Sequence, residues 1–409
     1  MQTSTNTSYR FSNRVGNIPK SFIREILKIT AQPDVISFAG GLPNPASFPI
    51  EAIRQATSKV LSNDGANVLQ YAPSEGYMPL RQYIADRYAR KGMQVSAHEI
   101  LITNGSQQGL DLIGKVFINE GDNVILEKPS YLGAIQSFSA YQPSFLTVPL
   151  LDDGVDTLEL DELLKNKDAK LFYAIPNFQN PTGISYSEIK RKQVTESILQ
   201  SQTLLVEDDP YGDIKFTDKE YAPIKKYVKD RGILLGSFSK IISPGMRMGW
   251  IVAAPEIIEK LLLAKQASDL HSNYFTQRVI YQFLMDNNLD DHIAKIIDLY
   301  KTQKEYMINC MKQHFPDEVR FTNPEGGMFI WLTLPSLMSS YVLLDHAAKE
   351  KLAFVPGKVF YLDDAVNNTL RINYSNSNFD EIEKGVKILG RIIKTLISKT
   401  NISVLEINP

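Results

Sequence analysis

At 409 residues the chain is longer than one comfortable core, so two domains, or one large and one small, are expected. Its composition is that of a globular protein, 43% hydrophobic and 22% charged, and a net charge of −2 without a basic run argues against nucleic acid or an anionic membrane as partner. No apolar run approaches the roughly 18 residues of a membrane span, the polar start MQTSTNTSYR lacks the apolar centre of a secretory signal, and the single cysteine, Cys310, forms no internal disulfide, so a cytoplasmic protein is expected.

The opening residues read as a loose arm. SFIREILKIT (21–30) follows as a short amphipathic helix, with Phe22, Ile23, Ile26, Leu27 and Ile29 on one broad face. ISFAGGLPNPASFP is a loop punctuated by Gly and Pro. From residue 51, helical patterns alternate with short, continuously apolar strands: EILITNG, NVILEKPSY, LFYAIPNFQNPTG, LLVEDDPY and ILLGSFSK. Strands buried on both faces and spaced by helices predict an α/β fold with a largely parallel sheet. Near residue 290 the pattern changes. HIAKIIDLYKTQKEYMINCMKQHF reads as a long helix leading to a smaller α+β domain, whose strands include GGMFIWLTL and TLRINYS. The expected division is an N-terminal arm and helix over 1–50, packing with the small domain, a large domain over 51–290 and a small C-terminal domain over 291–409.

Each strand of the large domain ends in a polar cluster: Asn104–Ser106, Lys128–Ser130, Asn177–Asn180, Glu207–Asp209 and Ser237–Lys240. Open α/β sheets bind ligands at the carboxyl ends of their strands, so these clusters are predicted to converge in space.

Taken singly, the clusters admit plain readings. SFSK (237–240) fits S-x-x-K, the serine nucleophile and lysine base of penicillin-recognising enzymes. The companion S-D-N and K-T-G elements are missing, however, and this motif closes a strand where that one opens a helix. A surface lysine after a strand is the other alternative. EDDPY (207–211) and NFQNPTG (177–183) each read as a turn, and NGSQQG as a helix start capped by Ser106. The histidines, His98, His271, His292, His314 and His346, lack metal-ligand spacing and one cysteine makes no zinc site, so no metal is expected. With no G-x-G-x-x-G and no P-loop, neither a dinucleotide nor a nucleoside triphosphate is suggested.

The joint occurrence is more specific. An Asn, an Asp with a Tyr three residues on, a strand-end Ser-x-Ser-Lys and then an Arg occur in that order, which resembles the fold type I pyridoxal-phosphate (PLP) enzymes, specifically the class I/II aminotransferases. The likeness runs from SFIREILK to TLRINYS, and SFSKxxxPxxRxGW together with NPTG is its most specific part. SFAGGLPNPASFP, LQYAPSEGYMPLR, NGSQQGLD and VEDDPY look most like the branch of 2-aminoadipate and kynurenine aminotransferases. That branch also contains the aminotransferase-like halves of certain bacterial transcription regulators.

The resemblance implies a large domain with a mostly parallel mixed sheet flanked by helices, plus the smaller α+β domain. It implies PLP, with Lys240 forming the Schiff base to its aldehyde and Asp208 facing the pyridine nitrogen. Asn180 and Tyr211 match the residues that hydrogen-bond the ring's phenolic oxygen, and Tyr131 the tyrosine that lies against the ring. Ser106, Gln107, Ser237, Ser239 and Arg247 match the phosphate site, where a helix N-terminus, hydroxyls and a guanidinium suit an anion. Tyr71 matches a tyrosine that reaches the phosphate of a neighbouring subunit, implying a homodimer with shared active sites. Arg371 matches the arginine that binds the substrate α-carboxylate, with Asn180 beside it. Arg24 and Gly40 match positions beside the substrate side chain. The implied activity moves an amino group from an L-amino acid, 2-aminoadipate, aromatic or similar, to a 2-oxo acid such as 2-oxoglutarate. The same constellation also supports β-elimination or decarboxylation, because the cofactor serves all of them. A PLP-binding regulatory module is a further alternative; such modules follow a winged-helix domain, for which the residues before 21 leave no room.

Overall fold

The protein is described by a computed structural model over residues 9–16, 34–363 and 367–407; the stretch 21–30, Arg24 included, lies outside the described residues. The strands are β1 (Ile36–Ser37), β2 (Ile100–Thr103), β3 (Asn123–Lys128), β4 (Ser144–Leu151), β5 (Gly154–Val155), β6 (Ala169–Ala174) and β7 (Leu204–Asp208). They continue as β8 (Gly232–Ser237), β9 (Gly249–Val252), β10 (Arg320–Phe321), β11 (Phe329–Thr333), β12 (Leu352–Ala353), β13 (Val355–Pro356) and β14 (Thr369–Asn373).

Eight strands form the large sheet, in the order β2-β9-β8-β7-β6-β3-β4-β5. Its centre, from β8 to β4, is parallel, as the continuous apolar runs predict. β2, β8 and β9 bury every residue, and β6 and β7 all but one, because helices cover both faces. The edges depart from that rule: β9 runs antiparallel between β2 and β8, and β5 turns back on β4.

This register gathers the strand ends. Thr103 and Ser237 both pair with Gly249, Asp208 with Leu235, and Ala174 with Glu207. The exits of β2, β6, β7 and β8 therefore open at one edge of the sheet, and the antiparallel β9 brings its entry, just after Arg247, to the same edge.

The smaller sheet is antiparallel, in the order β10-β11-β14-β13, and places Arg371 in β14 between Trp331 and Val355. The expected long helix spans Leu289–His314 and packs against the last helix, Phe379–Ile407. Among the described residues, no helix is long and apolar enough to cross a membrane.

Candidate active site

Between the strand ends and the small sheet lies a cleft of about 360 Å³. Its lining includes Ser106, Gln107, Tyr131, Asn180, Asp208, Tyr211, Ser237, Ser239, Lys240, Arg247 and Arg371, segments far apart in sequence.

Asp208 ends β7 and is 2% exposed. Its Oδ2 accepts a 2.8 Å hydrogen bond from Tyr173 Oη on the adjacent strand β6. Its Oδ1, equally buried, has no partner among the described residues. Burial pushes the carboxyl up to about 7, with Asp209 adding to the rise and the Tyr173 hydroxyl opposing it.

Lys240 follows β8 and donates from Nζ to the Gly41 carbonyl at 2.8 Å. Desolvation, then the charges of Arg371 and Arg247, bring its amine down to about 8. Near neutral pH such a lysine is neutral, and so nucleophilic, in a far larger fraction than an ordinary one.

The helix Ser106–Phe117 begins at the cleft, so its first free N–H groups face it. Ser106 is the first helical residue and not the cap expected from sequence; the cap is Gly105, at φ +81° and ψ 163°, a backbone region essentially confined to glycine. A Cβ on Gly105 would stand 2.6 Å from Arg247 Nη2, which donates to the Asn104 carbonyl at 3.1 Å. A Cβ on Gly249 would meet the Ser106 nitrogen at 2.7 Å, so glycine is also what allows β9 to enter beside the helix. The Gln107 side chain donates away from this end, to Gly133 O at 2.9 Å and Ser137 Oγ at 2.7 Å; the group it has left to offer at the helix start is its backbone N–H.

Arg371 crosses from the small sheet, 2% exposed. Nη1 donates to Asn180 Oδ1 at 2.8 Å and Nη2 to the Ala39 carbonyl at 2.7 Å, while Nε is buried without a partner among the described residues. The guanidinium lies 4.2 Å from the Phe329 ring centroid and 5.2 Å from that of Phe360. Burial lowers it to about 10, against the effect of the Tyr211 and Tyr131 hydroxyls. Those tyrosines are themselves pushed up by burial, Tyr131 to about 12.

Two expected residues stand apart. Tyr71 is 79% exposed, edge-on to His271 at 5.9 Å, and does not line the cleft of its own chain. Gly40 is buried, and it is Gly41 that lines the cleft. Sequence reading also passed over Tyr173, Phe329, Ile175 and Pro210. A tyrosine hydroxyl in the otherwise apolar LFYA was a signal, but its value depends on the β6–β7 register.

The family described as aminotransferase class I and II matches residues 33–389. The chain is 43% identical over 396 residues to aromatic-amino-acid aminotransferase 1 of Thermococcus litoralis, covering 95% of each. It is 40% identical over 395 residues to 2-aminoadipate transaminase of Thermus thermophilus, covering 96% of this chain and 98% of that one. Its structure is similar to the crystal structure of Pyrococcus horikoshii kynurenine aminotransferase in complex with PMP, KYN and KYA. The TM-score there is 0.90 at 40% identity, covering 94% of this chain and 97% of that one.

Proposed function

The chain belongs to the class I and II aminotransferases, PLP-dependent enzymes of amino-group transfer, and from that membership we propose a residue-by-residue assignment of its cleft. The amino donor is an L-amino acid, 2-aminoadipate, aromatic or similar, and the acceptor a 2-oxo acid such as 2-oxoglutarate. The named relatives act on such donors and support that range.

The residues present suit PLP. The buried, unpartnered Oδ1 of Asp208, in the same cleft as a lysine lowered to about 8, is the observation that carries the reading. A carboxylate there is matched by a protonated ring nitrogen, which would restore its ionised form. The helix start at Ser106, the hydroxyls of Ser237 and Ser239, and Arg247 form an anion cradle that a Cβ at Gly105 would invade.

When bound, PLP would supply an aldehyde for an amine and a ring that takes up the electron pair left on Cα when its proton is removed. Lys240 Nζ would hold the aldehyde and, once displaced by the donor amine, would take the proton from the substrate Cα and deliver it to the cofactor carbon that carries the amino group away. Asp208 would keep the ring nitrogen protonated. Asn180 and Tyr211 would hydrogen-bond the ring's oxygen, and Tyr131 would lie against the ring. Arg371 holds the substrate α-carboxylate, using the fork whose Nε is free. Gly41 lines the substrate side of the cleft, with the buried Gly40 as its chain neighbour, and Arg24 is assigned to the substrate side chain.

Because the first oxo acid leaves before the second enters, ping-pong kinetics follow. Tyr71, exposed and away from its own cleft, is assigned to the phosphate site of a second copy in a cytoplasmic homodimer. The domain limits at residues 50 and 290 belong to the same reading.

Protein reconstituted with PLP is expected to show visible absorbance that Lys240→Ala removes together with transfer from amino acid to 2-oxoglutarate. Unchanged absorbance in that variant would sink the assignment. Pyruvate and ammonia released from a cysteine-type substrate without any oxo acid acceptor would favour a lyase instead.

A further inference from the structure

Glu127 is a buried carboxyl that none of the roles above employs. It lies near the end of β3, 1% exposed, and burial raises it to about 7. Three donors converge on it. Tyr186 Oη reaches Oε1 at 2.7 Å; Gln179 Nε2 at 3.0 Å and the Ile175 N–H at 3.2 Å reach Oε2.

All three donors come from the segment that follows β6 and carries Asn180. Gln179, itself fully buried, also donates to the Pro129 carbonyl at 2.8 Å, two residues before Tyr131. Its Oε1 accepts from Thr182 Oγ1 at 2.7 Å and Thr182 N–H at 3.1 Å, closing the turn on both sides of Asn180. One carboxyl and one amide thus join the exits of β3 and β6 beneath Tyr131 and Asn180. Asn180 in turn receives Arg371 Nη1 from the small sheet.

We propose that Glu127 is a positioning residue which, through Gln179, sets the placement of Asn180 against Tyr131 and Arg371. This rests on the assignment of Asn180 to the cofactor ring. A buried carboxyl with three donors and no lysine or arginine among these bonds is not an ion-pair strut. Its geometry is that of a spacer whose oxygens locate two loops.

The test uses full-length protein loaded with PLP, in Glu127→Gln, Glu127→Ala, Asn180→Ala and the Ala–Ala double variant. The readouts are the pH midpoint of the visible absorbance, kcat and the donor KM. Glu127→Gln is expected to match wild type, because its amide oxygen still accepts from Ile175 and Gln179 while its NH₂ group donates to Tyr186 Oη. Glu127→Ala is expected to move the midpoint in the direction that Asn180→Ala moves it and to lower kcat by roughly tenfold to a hundredfold, with less effect on KM. In the Asn180→Ala background it should add nothing further.

A folded Glu127→Ala with the wild-type midpoint, or an effect fully additive with Asn180→Ala, overturns the proposal. Should Glu127→Ala not fold, Gln179→Ala, which cuts the same link, carries the comparison with the same two outcomes. Wild-type protein that gains no visible absorbance from PLP overturns the functional reading and this one with it. A normal wild type with a silent Glu127→Ala or Gln179→Ala overturns this one alone.

Discussion

Tyr173 Oη and Asp208 Oδ2 share a 2.8 Å hydrogen bond across neighbouring parallel strands, which leaves the other carboxylate oxygen buried and aimed at nothing in the described chain. The division is physically meaningful. One oxygen is satisfied by a neutral hydroxyl that orients the group, and the other keeps the full cost of an unpaired buried acceptor until a donor arrives. An N–H donor placed at that point would recover this cost.

Tyr173→Phe should therefore act on chemistry more than on binding of the amino donor. Losing the hydroxyl removes the one donor to Oδ2 among the described residues and pushes Asp208 further up, at a cost of about 1–3 kcal/mol to the ionised form. Steady-state kinetics should show kcat falling about tenfold or more with donor KM little changed. An unchanged kcat would mean that the bond does not tune Asp208.

The buried carboxyl also sets a pH dependence of stability. Asp208 titrates near 7 in the cofactor-free fold against an ordinary 3.8, so the folded chain binds more protons between those values. Its contribution is fully present below the ordinary value and is lost as pH rises through about 7. In cofactor-free protein, Asp208→Asn should gain stability over wild type steadily from pH 4 to 7, read as a growing Tm difference and bounded on the order of 4 kcal/mol. Lys240 has the opposite sense: lowered to about 8, its contribution is present above 10.5 and lost as pH falls through about 8. A Tm difference between Asp208→Asn and wild type that is flat with pH would refute the Asp208 assignment.

Gly105→Ala tests the anion cradle without replacing a charged group. The new Cβ meets both a glycine-only backbone region, costing about 1–3 kcal/mol, and Arg247 Nη2 at 2.6 Å. Fluorescence titration should show PLP binding weakened, and the advantage of PLP over pyridoxal, which has no phosphate, reduced. Loss of stability with the PLP-over-pyridoxal ratio intact would place the cradle elsewhere.

Arg371→Lys removes a planar fork while keeping a positive charge. A lysine cannot reach Asn180 and Ala39 together and still offer a paired face to a carboxylate. Donor KM should rise by roughly tenfold to a hundredfold, with the visible absorbance of the PLP-loaded protein retained. A KM within experimental scatter of wild type would remove Arg371 from the substrate site.

Donor choice is the remaining question, and Arg24→Ala addresses it directly. Against 2-oxoglutarate, loss should be confined to donors with a distal carboxylate, such as 2-aminoadipate, while aromatic donors hold or improve. Equal loss across both groups would end the proposed role of Arg24.

Much of the fold was legible in the sequence because its signals are local. Runs such as ILIT and ILLG mark doubly buried strands whatever their neighbours, and a polar cluster after each run marks where the strand surfaces. That sufficed to bring Ser106, Asn180, Asp208 and Lys240 to one edge. The tertiary structure alone decided what pairs across that edge. A continuous apolar run carries no record of strand order or direction, so the antiparallel insertion of β9 between β2 and β8 left no mark in the sequence. Nor did the Tyr173–Asp208 bond, the Glu127–Gln179 link, or the reach of Arg371 to Asn180, which spans 191 positions. Such contacts exist because packing leaves each buried polar group only the partners that the assembled sheet supplies. The chain's sequence named the chemistry; its folding chose which oxygen of Asp208 is left open.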